Sequence, residues 1–147
     1  MIRLQTEPFE PGALLTAFCA GRFETGAVVS FTGLARGGQG EVHRLELEAY
    51  PGFTEAEIGR IAEAAQARFA LHDLMIVHRI GEIAPSEAIV FVAVAAAHRR
   101  AAFEAADHLM DYLKSRAPFW KKEHGPGGAR WIEPNERDLA DAARWDG

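Results

Sequence analysis

Polar and apolar positions alternate between Val42 and Tyr50, with Leu45, Leu47 and Ala49 on one side and Arg44, Glu46 and Glu48 on the other. A period of two predicts a strand with one buried face. Pro51-Gly52 ends it, and Thr54 with Glu57 has the spacing of a capping box. The helix that follows places Ile58, Ile61, Ala62, Ala65 and Phe69 at helical spacing. Two further strands, Leu74 to Ile80 and Ala88 to Ala95, are separated by turn residues around Gly81 and Pro85. The second is almost wholly apolar, which predicts the sheet centre with both faces covered. After His98 a long helix is expected to about Arg116, stopped by Pro118. Phe103, Ala106, Leu109, Met110 and Leu113 form its predicted core-facing arc.

Toward the N-terminus, Met1 to Thr6 reads as a short strand and Pro11 to Ala20 as a helix closed by Gly21. Gly26 to Thr32 is β-rich and leads through Gly33-Leu34-Ala35-Arg36 into the glycine cluster Gly37-Gly38-Gln39-Gly40, a flexible loop or hairpin turn. Ala129 to Glu133 is expected as a last strand, and the tail from Pro134 as one loose helix. The order β-α-β-β-α-β-β-α plus tail predicts an α+β fold: a two-layer sandwich, mostly antiparallel sheet with helices packed on one side. No repeat or long linker divides the chain, so residues 1–147 are expected to form one domain, with 134–147 as an acidic C-terminal tail.

Composition changes this picture little: 48% hydrophobic and 25% charged residues match an ordinary globular protein. No apolar run is long enough to span a membrane, and Met1 to Gln5 carries no signal-peptide segment, so a cytoplasmic location is expected. Cys19 is the single cysteine, which excludes internal disulfides and multi-cysteine metal sites. Its helical setting predicts a small buried hydrophobe. His43, His72, His78, His108 and His124 show no paired ligand spacing, so no metal site is expected.

Charge is more informative. The net charge of -5 disfavours nucleic acid as a partner. Yet Arg99, Arg100, Lys114, Arg116, Lys121 and Lys122 crowd into residues 98–122. A basic island in an acidic protein suits a small anion. His98-Arg99-Arg100 opens the long helix, where the helix dipole disfavours cations; either an anionic ligand sits there or the guanidiniums reach outward to surface acids. Lys114 lies about 20° beyond Phe103 on the core arc, as a snorkelling stem or as a partly desolvated lysine at a cleft wall. Phe119-Trp120-Lys121-Lys122-Glu123 is either an anchored platform for two lysines or a solvated turn. These residues, with Arg36, make a candidate oxyanion or phosphate pocket without naming a reaction. A phosphate-binding module and a cyclic-phosphate hydrolase using Lys114 and His98 both stay open on this evidence.

Several stretches carry a resemblance. They are Gly26-Ala27-Val28-Val29-Ser30-Phe31-Thr32-Gly33 leading to Arg36, Leu47-Glu48-Ala49-Tyr50-Pro51-Gly52, Val77-His78-Arg79-Ile80-Gly81 and Ala97-His98-Arg99. The longest runs from Met110 through Lys114 and Pro118 to Glu123. Together they make Gly26 to Glu133 resemble the large-subunit family of molybdopterin synthase. That resemblance implies a hammerhead-like fold and a sulfurtransferase needing no bound cofactor. Its substrate would be cyclic pyranopterin monophosphate. Sulfur would arrive on the C-terminal Gly-Gly thiocarboxylate of a small ubiquitin-like subunit, and two large subunits would pair within a heterotetramer. By the same resemblance Lys114 and Lys121 are catalytic. Arg36, His98 and Arg99 bind substrate, with Leu34, Ala35, Lys122 and Glu123 beside them. Phe31 and Met110 are pocket walls or ordinary core, and Arg130 acts across the dimer.

Overall fold

The computed structural model describes residues 1–133 and 136–146. The order is β1 (Ile2–Gln5), α1 (Pro11–Cys19), β2 (Ala27–Leu34), β3 (Arg44–Ala49), α2 (Phe53–Phe69), β4 (Asp73–Arg79) and β5 (Gly81–Ile83). It continues with β6 (Ala88–Ala96), α3 (Arg99–Ser115), β7 (Phe119–Gly125), β8 (Gly128–Ile132) and α4 (Glu136–Ala143). The strands form two four-stranded sheets, ordered β1-β4-β6-β2 and β5-β3-β7-β8. Among the described residues only the β1–β4 pair is parallel.

β6 is central in the first sheet, as its unbroken apolar run predicts, and its alternate residues serve two cores. Val90, Val92, Val94 and Ala96 pack with Ile58, Ala65, Leu109 and Leu113 of α2 and α3. Phe91, Ala93 and Ala95 pack on the opposite side with Phe18, Leu14 and Leu15 of α1. The α+β, mostly antiparallel architecture is therefore present with α2 and α3 on one face and α1 on the other. Burying both faces of a sheet takes the whole period-two set of an apolar strand out of water, at about 25 cal/mol per Å². In the second sheet only the Leu45 and Leu47 side meets a core, formed with Ala35 and Ile83. The chain passes between the sheets at Ile80–Gly81, where Gly81 has φ 82, a left-handed conformation natural to glycine.

Four local expectations are corrected. Thr54 is not a cap: it is fully buried, its Oγ1 accepts the Tyr50 amide at 2.8 Å and donates to the Pro118 carbonyl at 2.9 Å. It thereby staples the start of α2 to the α3–β7 connection. Phe103 is 58% exposed, because the buried arc of α3 runs one residue earlier, through Ala102, Ala105, Ala106, Leu109 and Leu113. Cys19 ends α1 exposed, because that short helix buries only Phe18 completely. Residues 119–125, open as a charged turn, are β7, held between β3 and β8. No described helix is long and apolar enough to cross a membrane.

Candidate active site

Register brings three elements to one end of the first sheet. β2 pairs antiparallel with β6 until Leu34 faces Ala88, and β4 pairs with β6 until His78 faces Val90. Arg36 and His78 therefore leave the sheet at the same end. α3 returns toward that end and delivers Lys114 in its last turn. β7 then starts at Phe119, whose ring stacks on His78 with centroids 4.2 Å apart. Alternation along β7 turns Lys121 and Glu123 to the Leu45–Leu47 side of the second sheet, opposite Leu47 and Leu45 respectively. Lys122 points the other way, its ammonium 5.0 Å from the Trp131 ring centroid.

Electrostatics link these groups. Burial holds the Lys121 ammonium below its ordinary pKa, the nearby Lys114 and Arg36 cations add to that, and Glu123 and Asp138 oppose it. Burial likewise lowers His78 to about 4, against the hydrogen bond at the Arg79 carbonyl and with help from Lys114. His78 Nδ1 sits 2.8 Å from that carbonyl, which can only accept, so Nδ1 carries the proton of a neutral ring. Lys114 itself is exposed, and Lys121 is the lysine that is partly withdrawn from water. The result is a cationic cluster in which burial and the neighbouring charges lower the pKa of Lys121.

The other sequence-derived candidates fall in several places. Ala35 is buried beside the recess, but its amide donates to Glu87 and its carbonyl accepts from Ser86, so its backbone polar groups are already bonded. Leu34 and Phe31 are exposed on β2, and Met110 is partly buried against the α2–α3 core. Arg130 pairs with Glu123 of its own chain at 3.3 Å. His98 and Arg99 are exposed at the opposite end of α3. Fifteen helical steps separate Arg99 from Lys114, roughly 22 Å along the axis. Two recess neighbours were missed by sequence reasoning. Asp138 lies in the tail helix, which nothing in the sequence ties to β7. His78 had a signal, a polar pair closing an otherwise apolar strand, but no partner at ligand spacing. Among the described residues no cluster of His, Cys, Asp or Glu could hold a metal ion.

Comparison with known proteins names the lineage. Residues 4–116 match the family described as MoaE protein. The molybdopterin synthase catalytic subunit of Caulobacter vibrioides is 70% identical over 146 residues, covering 99% of this chain and 97% of the relative. That of Pseudomonas aeruginosa is 50% identical, covering 99% and 98%. The solved MoaE protein of Burkholderia ambifaria superposes with a TM-score of 0.85 at 43% identity, over 100% of this chain and 98% of the other. Molybdopterin synthase from Staphylococcus aureus superposes with a TM-score of 0.79 at 30% identity, over 88% and 94%. With the family matched over most of its length and its fold shared throughout, this chain belongs to the MoaE family, the catalytic subunits of molybdopterin synthase.

Proposed function

We propose that the chain converts cyclic pyranopterin monophosphate to molybdopterin in the cytoplasm, taking two sulfurs from the C-terminal thiocarboxylate of a small ubiquitin-like subunit. The observation that carries this reading is the half-buried Lys121, its pKa lowered beside Lys114 and Arg36. A thiocarboxylate and a cyclic phosphate are both anions, and the cluster of exposed Lys114 and Arg36 with half-buried Lys121 offsets their charge. Lys114, the accessible lysine, holds the thiocarboxylate tail. Lys121, its pKa lowered chiefly by burial, donates its proton to the oxygen released as the cyclic phosphate opens. The neutral Lys121 amine is then reprotonated from water, a return that the Glu123 carboxylate on the same face of β7 favours. The lone exposed cysteine fits a reaction whose sulfur is brought by the partner.

A pair of large subunits within a heterotetramer accounts for the remaining candidates. His98 and Arg99 are too far from Lys114 in their own chain to share one small substrate. A twofold-related copy would bring them to the neighbouring site if both lie in the shared patch, since across a C2 interface residue i of one subunit meets residue j of its mate and j meets i. Arg130, exposed and paired with Glu123 of its own chain, is the further residue assigned to act across the dimer.

The test is a three-component reaction of this protein, thiocarboxylated small subunit and cyclic pyranopterin monophosphate, scored for dithiolene product. Product that requires all three supports the reading. No product from folded chain and verified thiocarboxylate would leave only an anion-binding domain.

A further inference from the structure

Beside the recess lies a polar assembly that the reaction above does not use. Arg79, the last residue of β4, is 4% exposed. Its Nη2 donates to the carbonyls of Thr6 and Glu82, each at 2.9 Å. Its Nη1 stands 3.3 Å from Glu87 Oε1, while Nε and Nη1 meet no hydrogen-bond acceptor among the described residues. Apart from those two carbonyls, a guanidinium so buried has one carboxylate to balance its charge, a costly arrangement for stability alone.

Glu87 passes the constraint on. Its Oε1 also accepts the Ala84 amide at 2.7 Å, closing the turn between β5 and β6. Within that turn Ser86 has φ 73, a left-handed conformation that a serine keeps only when its surroundings enforce it. The turn then grips one residue from both sides. The Ala35 amide donates to the Glu87 carbonyl at 2.9 Å, and the Ala35 carbonyl accepts from the Ser86 amide at 2.8 Å. The next residue in the chain is Arg36.

We infer that the Arg79–Glu87 pair is a positioning device for Arg36, fixing through the 84–87 turn and the Ala35 peptide where the Arg36 guanidinium meets substrate. The inference rests on the proposed role of Arg36 in binding the phosphorylated pterin. Neither Arg79 nor Glu87 touches substrate; each acts only through the backbone that carries Arg36. A phosphate contact misplaced by an ångström loses most of its worth, so the expected signature is weaker substrate binding with little change in turnover.

The test is a double-mutant cycle in the three-component reaction. Glu87→Ala should raise KM for the pterin about tenfold and leave kcat within about twofold. Glu87→Gln keeps an acceptor for the Ala84 amide and loses the charge facing Arg79, so its rise should be smaller. In an Arg36→Ala background, Glu87→Ala should add nothing to KM, because the residue it positions is gone. Full additivity, or an unchanged KM in Glu87→Ala while Arg36→Ala raises it, overturns the positioning role alone. An unchanged KM in Arg36→Ala overturns both that role and the reading of Arg36. Amide hydrogen exchange gives a readout without turnover: Glu87→Ala should speed exchange at Ala35, and a wild-type rate there would also sink the inference. If Glu87→Ala does not fold, Glu87→Gln carries the same cycle.

Discussion

The two ends of α3 are built from similar residues and behave differently. At its start His98, Arg99 and Arg100 stand in water at a helix terminus, where the dipole offers them no stabilisation. At its end Lys114 meets β7, and the paired lysine Lys121 is half-buried between a sheet and a helix tail. Positive charge alone therefore does not make a reactive site. The second end has walls: Phe119 stacked on His78, Glu123 on the same strand face, and the Leu45–Leu47 core behind Lys121. They leave Lys121 half-buried, and desolvation is the largest influence on its ammonium. The first end is an exposed cationic surface; the second sets a half-buried lysine beside other cations.

The largest effect should come from the walled end. Lys121→Ala and Lys114→Ala are each expected to lower kcat by about 10²–10³-fold, as loss of a charge-stabilising or proton-transferring group does. Circular dichroism should show an unchanged fold, and near-normal product formation would remove the residue from catalysis. Lys121→Arg sharpens the point, because a guanidinium keeps the charge and cannot release a proton. It should stay slow.

Acid sensitivity comes next. His78 is held near 4 in the fold against an ordinary value of 6.5, and His108, ringed by Phe69, Tyr112 and Trp145, is lowered to about 4 as well. In that window the unfolded chain binds protons that the native chain does not. Stability is thus fully present above pH 6.5 and declines as pH falls toward 4, by on the order of 3 kcal/mol for His78. Thermal or urea melts across pH 7 to 4 should show the decline, and His78→Gln should flatten it by roughly half. An unaltered slope would mean that His78 charges freely in the native state.

A smaller effect should appear at the open end. Arg99→Ala is expected to raise KM for the pterin about tenfold with kcat nearly kept. If the open end serves a neighbouring site, mixing Arg99→Ala chains with Lys121→Ala chains should restore turnover at the normal KM, which neither has alone, because a mixed dimer contains one intact site. Failure of subunit-exchanged mixtures to recover would place Arg99 outside the shared site. Smallest of all, Phe103→Ser should change unfolding free energy by no more than about 0.5 kcal/mol. A larger, concentration-dependent loss in denaturation would show that a second copy covers that face.

Much of the scaffold was legible before any coordinates. Strands such as β3 and β6 and helices such as α2 announce themselves because burial of a face imposes a period on the residues that line it. What misled was short-range polarity. Lys121-Lys122-Glu123 reads either as an anchored platform or as a solvated turn, and the pairing partner Leu45-Glu46-Leu47, more than seventy residues earlier, makes it a strand with two lysines on opposite faces. Thr54 fits a local capping pattern, but a carbonyl at Pro118 claims its hydroxyl. Phe103 is as apolar as a core residue, and only the packing of α3 on β6 and β2 selects Ala102 in its place.

By itself the sequence determined the fold class, the family and the identity of the candidate lysines, since these depend on periodicity and on residues whose order survives in any conformation. Only the tertiary structure decided which charges share a space. It joined Lys114, Lys121, Arg36 and His78, sent His98 and Arg99 to the far end of α3, and set Asp138 of the tail near Lys121. The reason is physical. A pKa, an ion pair or a recess depends on distance and on exclusion of water, and both are properties of how elements pack rather than of any one of them.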